Sequence, residues 1–159
     1  MVRMCIVLVS IVTGVFGSGC TNNDPPTPLS EVEFKREGSL TILRGDEPLS
    51  SVVIEIADTD STRDRGLMER NALPQNSGML FVFDEATPQR FWMANTRISL
   101  DFIFAAADGS IVHIKKYVRP LSQDPVESAA PALYVLELPA GYLDSIGIVE
   151  GDVIEFTYD

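Results

Sequence analysis

From Glu31 onward the apolar positions recur in short β-branched and aromatic runs separated by Gly, Pro and Asp, a rhythm of strands rather than of helices. The clearest runs are Val52–Ala57, Met79–Phe83, Phe102–Ala105, Ile111–Tyr117, Tyr134–Leu138 and Val153–Tyr158, and weaker strands are expected at Val32–Lys35 and Ser39–Leu43. Several alternate with period two. Tyr134, Leu136 and Leu138 face one side and Val135 and Glu137 the other, while Ile154, Phe156 and Tyr158 oppose Val153, Glu155 and Thr157. Asp108-Gly109, set between an apolar run and IVHI, signals a hairpin, because Gly supplies the positive φ that a tight turn demands.

One helix stands out at about 61–70, where Ser61 and Asp64 form a capping box and Asn71 followed by Pro74 marks the stop. A shorter helical turn is expected at Tyr142–Ile146. Short strands with scarcely any helix predict a mainly β chain, a small antiparallel β-sandwich or barrel. Strands of this length do not suit a doubly wound parallel sheet with crossovers.

The N-terminus has a different pattern. Residues 1–19 carry a single charge, Arg3, then an apolar stretch over Met4–Val12, a breaker at Gly14 and small residues up to Cys20, the order of a secretory signal. The apolar run falls short of the ~20 residues of a membrane span. Cys20 follows Gly17-Ser18-Gly19 and precedes the polar, proline-rich TNNDPPTP, so the signal resembles that of a bacterial lipoprotein, in which such a Cys is lipidated and becomes the new N-terminus. Gly17 departs from the branched apolar residue usual three positions before that Cys. The expected organisation is a signal peptide at 1–19, a lipidated Cys20 with a Pro-rich tether at 20–30, and one β domain at 31–159, exported and held to an envelope membrane facing the periplasm or the exterior.

Composition narrows the chemistry. The 159 residues include 12 Lys+Arg against 23 Asp+Glu, a net charge of −11 that becomes −12 once Arg3 leaves with the signal. Binding to nucleic acid needs clustered cations that release counterions, and only Lys35, Lys115 and Lys116 supply ammonium groups, so no nucleic-acid partner is expected. Cys5 leaves with the signal and Cys20 is acylated, which removes thiol nucleophiles, thiolate metal sites and disulfides from the mature chain.

A distinctive series runs through the middle of the chain: Arg65-Gly66-Leu67-Met68-Glu69-Arg70, then Gly78-Met79-Leu80-Phe81-Val82-Phe83, then Trp92-Met93-Ala94-Asn95-Thr96, then Leu100-Asp101-Phe102-Ile103-Phe104. In order and spacing it resembles domain-of-unknown-function family 192, whose members carry GLM–R, GMLF–F, WM–NT and LD–IF motifs. The resemblance extends from about Leu49 to Tyr158 and includes Tyr134–Gly141 and Gly151-Asp152. It implies a small β-rich sandwich or barrel, often exported, and no particular biochemical activity. Ala94 is a departure, since many members carry Lys there.

The candidate ligand site is polar: Arg65, Arg70, Asn95, Thr96 and Asp101, with Trp92 as a stacking wall for a carboxylate or sugar-like ligand. The competing structural reading pairs Arg65 with Glu69 along the helix, sets Arg70 against the helix dipole, uses Asn95-Thr96 to satisfy a turn, and pairs Asp101 with an Arg to tie helix to sheet. A soft-metal site built from Met68, Met79, Met93 and His113 would suit Cu(I), although each Met also sits where a core would want it. One His cannot supply a hydrolytic zinc site, and a serine triad is disfavoured because His113 lies on an expected strand with no nucleophile elbow near it. Asp101 with Glu137 or Asp152 remains as a carboxylate pair for a glycosidase-like enzyme acting on an extracytoplasmic glycan. The favoured reading is a non-enzymatic ligand-binding or accessory module with no cofactor, whose partners are a membrane, through its lipid, and a small molecule or envelope protein.

Overall fold

The computed structural model describes residues 32–158. Residues 1–19, Cys20 and the tether at 20–30 lie outside the described residues. Seven strands and two short helices follow in the order β1 (Gly38–Arg44), β2 (Glu47–Ala57), α1 (Asp60–Arg65), β3 (Ser77–Phe91), β4 (Leu100–Ala105), β5 (Ile111–Val118), β6 (Val126–Pro139), α2 (Tyr142–Ile146) and β7 (Val153–Tyr158). The strands form one sheet in the order β5-β4-β6-β3-β2-β1-β7. No helix among the described residues is long and apolar enough to cross a membrane.

The sheet is mainly antiparallel, as the alternation predicts, with one exception: β2 and β3 pair in parallel, Val53 opposite Ser77 and Ala57 opposite Phe81. A parallel pair needs a crossover, and residues 58–76, including α1, supply it. The sheet curls until its two ends meet. Ser110 bridges to Val153, the Ile111 N–H donates to the Asp152 carbonyl at 2.8 Å, and the Ile154 N–H donates to the Gly109 carbonyl at 2.9 Å. Gly109, at φ 83°, is required twice over, since a Cβ there would lie 2.5 Å from the Ile154 carbonyl oxygen. The result is a curled half-barrel.

Both faces of the sheet are covered. Leu40, Ile42, Ile54, Leu80, Ile103 and Leu136 pack on one face beneath Leu143 of α2. Met79, Phe81, Phe102, Phe104 and Val135 pack on the other, covered by Leu67 from the β2–β3 crossover and Met93 from the β3–β4 loop. Burial on both faces explains why β4 (LDFIFA) is buried at every position and shows no alternation.

Two local expectations are corrected. The helix is shorter than 61–70 and its capping box is Thr59 with Thr62, two residues before the expected Ser61 with Asp64: the Thr59 hydroxyl accepts from the Thr62 N–H at 3.2 Å and the Thr62 hydroxyl accepts from the Thr59 N–H at 2.9 Å. It stops at Gly66, whose φ of 45° leaves the helical region, so that Leu67 turns into the core instead of continuing along the surface. Val32–Lys35 forms no strand. Past it, the Glu37 carboxylate accepts the Ile56 N–H at 2.8 Å, so a side chain takes the place of a strand partner where β2 runs beyond the start of β1.

Candidate functional site

The crossover after β2 and the loop at 92–99 stand on the same face of the sheet, with a cleft of about 580 Å³ between them. Arg65, Gly66, Leu67 and Met68 form one wall. Gln89, Arg90, Trp92, Ala94 and Thr96 form the other, and Phe81, Phe83, Phe91 and Glu137 form the floor. Phe91 organises that floor, meeting Phe81 edge-on at 4.9 Å and Phe83 at 6.2 Å, with Phe102 5.6 Å away. Trp92 stands at the rim, 64% exposed, held by its indole N–H donating to the Gln123 carbonyl at 3.1 Å.

Glu137 is the chemically unusual group. On β6 it is flanked by Met79 of β3 and Phe102 of β4, and it is only 5% exposed. Among the described residues, no hydrogen bond or ion pair reaches its carboxyl, which opens onto the cleft. Burial without a compensating partner pushes its pKa up to about 8, so near neutral pH it is largely the protonated acid.

The arginines nearby do not neutralise it. Arg63 fastens α1 to the sheet: its guanidinium donates to the Asp58 and Val82 carbonyls at 2.7 and 2.8 Å and to Asp60 at 2.7 Å, and it lies 5.5 Å over the Phe83 ring. Arg65 and Arg90 are exposed at the rim, in loose pairs with Glu69 at 3.9 Å and Glu127 at 3.4 Å.

Of the six sequence candidates, the structure brings Arg65, Trp92 and Thr96 to this cleft. Arg70 is not at a helix end; it is buried and donates to Glu55 at 2.7 Å in an ion pair that ties the crossover to β2. Asn95 adopts φ 56° and its carbonyl accepts the Glu69 N–H at 2.8 Å, joining the two walls outside the cleft. Asp101 meets no arginine among the described residues. Its carboxylate, fully buried on the opposite face, accepts N–H groups from Tyr117 at 2.8 Å, Gly141 at 2.9 Å and Leu143 at 3.2 Å, and so fastens β4 to the end of β5 and the start of α2.

The proposed carboxylate pairs do not form. Asp101 lies opposite Leu138 and Glu137 opposite Phe102, and neighbours in a strand point to opposite faces. Asp152 is held by Arg44 at 2.8 Å and by the Val149 N–H at 2.9 Å, which together keep its pKa below the usual carboxylate range. Met79 and Met93 are enclosed in the core and Met68 edges the cleft. His113 lies on β5, three strand spacings from Met79 on β3, stacked on Phe104 at 5.8 Å and 3.3 Å from Glu150. These four residues therefore do not share one ligand sphere.

Sequence reasoning missed the role of Glu137 at the floor, and it missed Arg63 altogether. The signal for Arg63 was its i,i+3 spacing from Asp60, and for Glu137 a lone acid between Leu136 and Leu138 in a strand that two neighbours flank.

The geometry has counterparts among solved structures. A crystal structure of a protein from Sinorhizobium meliloti 1021, described as a candidate transcription regulator, superposes with a TM-score of 0.72 at 36% identity, covering 79% of this chain and 97% of that one. A protein of unknown function from Novosphingobium aromaticivorans superposes with a TM-score of 0.70 at 32% identity, covering 74% and 83%. No curated protein matches. The profile of the family described as Uncharacterized ACR matches residues 41–156, from β1 through β7 and across every wall of the cleft, and the chain belongs to that family, DUF192.

Proposed function

We propose that this protein is an exported, lipid-anchored module of the cell envelope that binds a small molecule in the cleft between α1 and the 92–99 loop and carries out no chemistry on it. One observation carries the reading: a buried carboxyl without a partner among the described residues faces an open, aromatic-walled cleft. Buried polar groups are otherwise paired, and a cavity lined by rings with one convergent polar group is the usual form of a small-molecule site. The absence of a facing carboxyl from Asp101 or Asp152 removes the support for glycosidase-like acid-base work. A net charge of −11 argues against carrying over to this chain, as nucleic-acid binding, the transcription-regulator description of the Sinorhizobium protein.

The anchor reading rests on the small-residue run before Cys20 and the proline-rich tether after it. Labelled palmitate should enter the wild-type chain and not the Cys20→Ala variant; a wild-type chain that takes up no label, or a variant labelled equally, would refute lipidation. Ligand binding is tested by a thermal-shift screen of the detergent-solubilised full chain against sugars, amino acids, amines and Cu(I). A ligand at 100-fold its Kd adds about 2.7 kcal/mol, a shift that a scan resolves. A hit whose shift survives both Trp92→Ala and Glu137→Gln would place binding elsewhere.

A further inference from the structure

Resting on the cleft as the binding site, we propose that its ligand is an organic ammonium ion, a protonated or quaternary amine on an apolar body, with the cationic head against Glu137 and the body along Phe91 and Trp92. Three features of the cleft select this class. Glu137 is 5% exposed, opens onto the cleft, and draws no cation from the described residues. Its surroundings are Met79, Phe102 and the Phe81–Phe91 ring pair, and ring faces attract a cation while offering nothing to an anion. The third feature is the disposition of charge on the walls: Asp60, Arg63, Asp64 and Arg65 on the α1 side and Arg90 at the end of β3. Arg63, which lies over Phe83, is spent on two carbonyls and Asp60, and the exposed Arg65 and Arg90 hold the rim, so among the described residues Glu137 is the ionisable group of the cleft floor left without a partner.

The proton balance follows. Without ligand the carboxyl keeps its proton over much of the neutral range; when a fixed cation arrives, the O–H bond breaks, the proton passes to solvent, and the carboxylate and ammonium remain as the buried pair. A neutral or anionic occupant has no reason to expel that proton.

The test uses the full chain in detergent with three aromatic probes of similar size: benzyltrimethylammonium, benzyl alcohol and benzoate. The indole N–H resonance of Trp92, the only tryptophan, reports occupancy, and calorimetry in two buffers of different ionisation heat counts protons. Benzyltrimethylammonium should shift the indole, bind about tenfold more tightly at pH 7 than at pH 6, and release close to one proton at pH 6. Glu137→Gln should lose at least tenfold in affinity and all of the pH dependence, with its fold checked by the dispersion of the spectrum. If benzyl alcohol or benzoate shifts the indole and the ammonium does not, the ammonium inference is overturned and the cleft stands as a site for another class. Ammonium binding that Glu137→Gln leaves unchanged overturns it equally. If none of the three perturbs Trp92, the cleft reading falls with it.

Discussion

Glu137→Gln also makes a prediction about stability, and here the structure fixes both sign and size. The Glu137 carboxyl has an ordinary pKa of 4.5 and is pushed to about 8 in the folded protein by burial alone. Between those values the folded state binds a proton that the unfolded state has released, so stability falls as pH rises through that window and is flat on either side. Each pH unit inside it costs about 1.4 kcal/mol, which accumulates to about 3 kcal/mol by pH 7 and about 5 kcal/mol above pH 8. Gln has the same shape and no charge, so its own burial adds an offset that does not change with pH. The assay is urea unfolding of both proteins at pH 4.5, 7 and 8.5, read as the difference between them at each pH. Relative to wild type, the variant should gain about 3 kcal/mol between pH 4.5 and 7 and a further 1–2 kcal/mol by pH 8.5. A difference that stays constant within about 0.5 kcal/mol across the series would mean the carboxyl is solvated or paired in the folded state, and the account of the cleft floor would be wrong.

Three further predictions concern the groups that hold the cleft in place. Asp101→Asn puts an amide where a carboxylate accepts three backbone N–H groups, so two donors at most stay satisfied; a loss of about 3 kcal/mol is expected in denaturant unfolding. Arg70→Met strands the buried Glu55 carboxylate and should cost about 3–5 kcal/mol, whereas the double change Arg70→Met with Glu55→Met should recover most of it, because the pair already leaves Glu55 Oε2 and Arg70 Nε without partners; a double variant no more stable than the single one would refute this. Gly66→Ala places a Cβ 3.2 Å from Phe81 Cζ on backbone at φ 45°, and should cost about 1–3 kcal/mol in thermal unfolding while altering the Trp92 fluorescence through the displaced floor.

Much of the fold was legible in the chain because the strand signals are local. β7 matches its sequence range residue for residue, α2 falls where the short turn was expected, and Asp108-Gly109 makes its hairpin with the Asp108 carboxylate accepting the Ser110 N–H at 3.0 Å. The parallel β2–β3 pairing was not legible, because nothing in either strand records which direction the crossover returns from. The helix end was misplaced for a related reason: Asn71 and Pro74 are strong stop signals, but Gly66 comes first, and the burial of Leu67 makes the stop necessary.

The site shows the same division more sharply. Alternation in β6 correctly puts Glu137 and Val135 on one face and Leu136 and Leu138 on the other. What alternation cannot carry is whether the second face is wet. In a two-layer antiparallel sheet a lone acid on that face would be an ordinary solvent-side residue; here the crossover and the 92–99 loop close over it, so the same Glu becomes a buried, neutral acid at the bottom of a cleft. Asp101 is the converse case. It looked like a site residue because it sits inside a recognisable motif, and the backbone donors that surround it, from residues 16 to 42 positions away, make it a fastening. The role of a buried acid in this fold is therefore decided by whether a donor from a distant segment reaches it, as N–H groups reach Asp101 and Arg70 reaches Glu55, or none among the described residues does, as at Glu137, and only the second kind has binding energy left for a ligand.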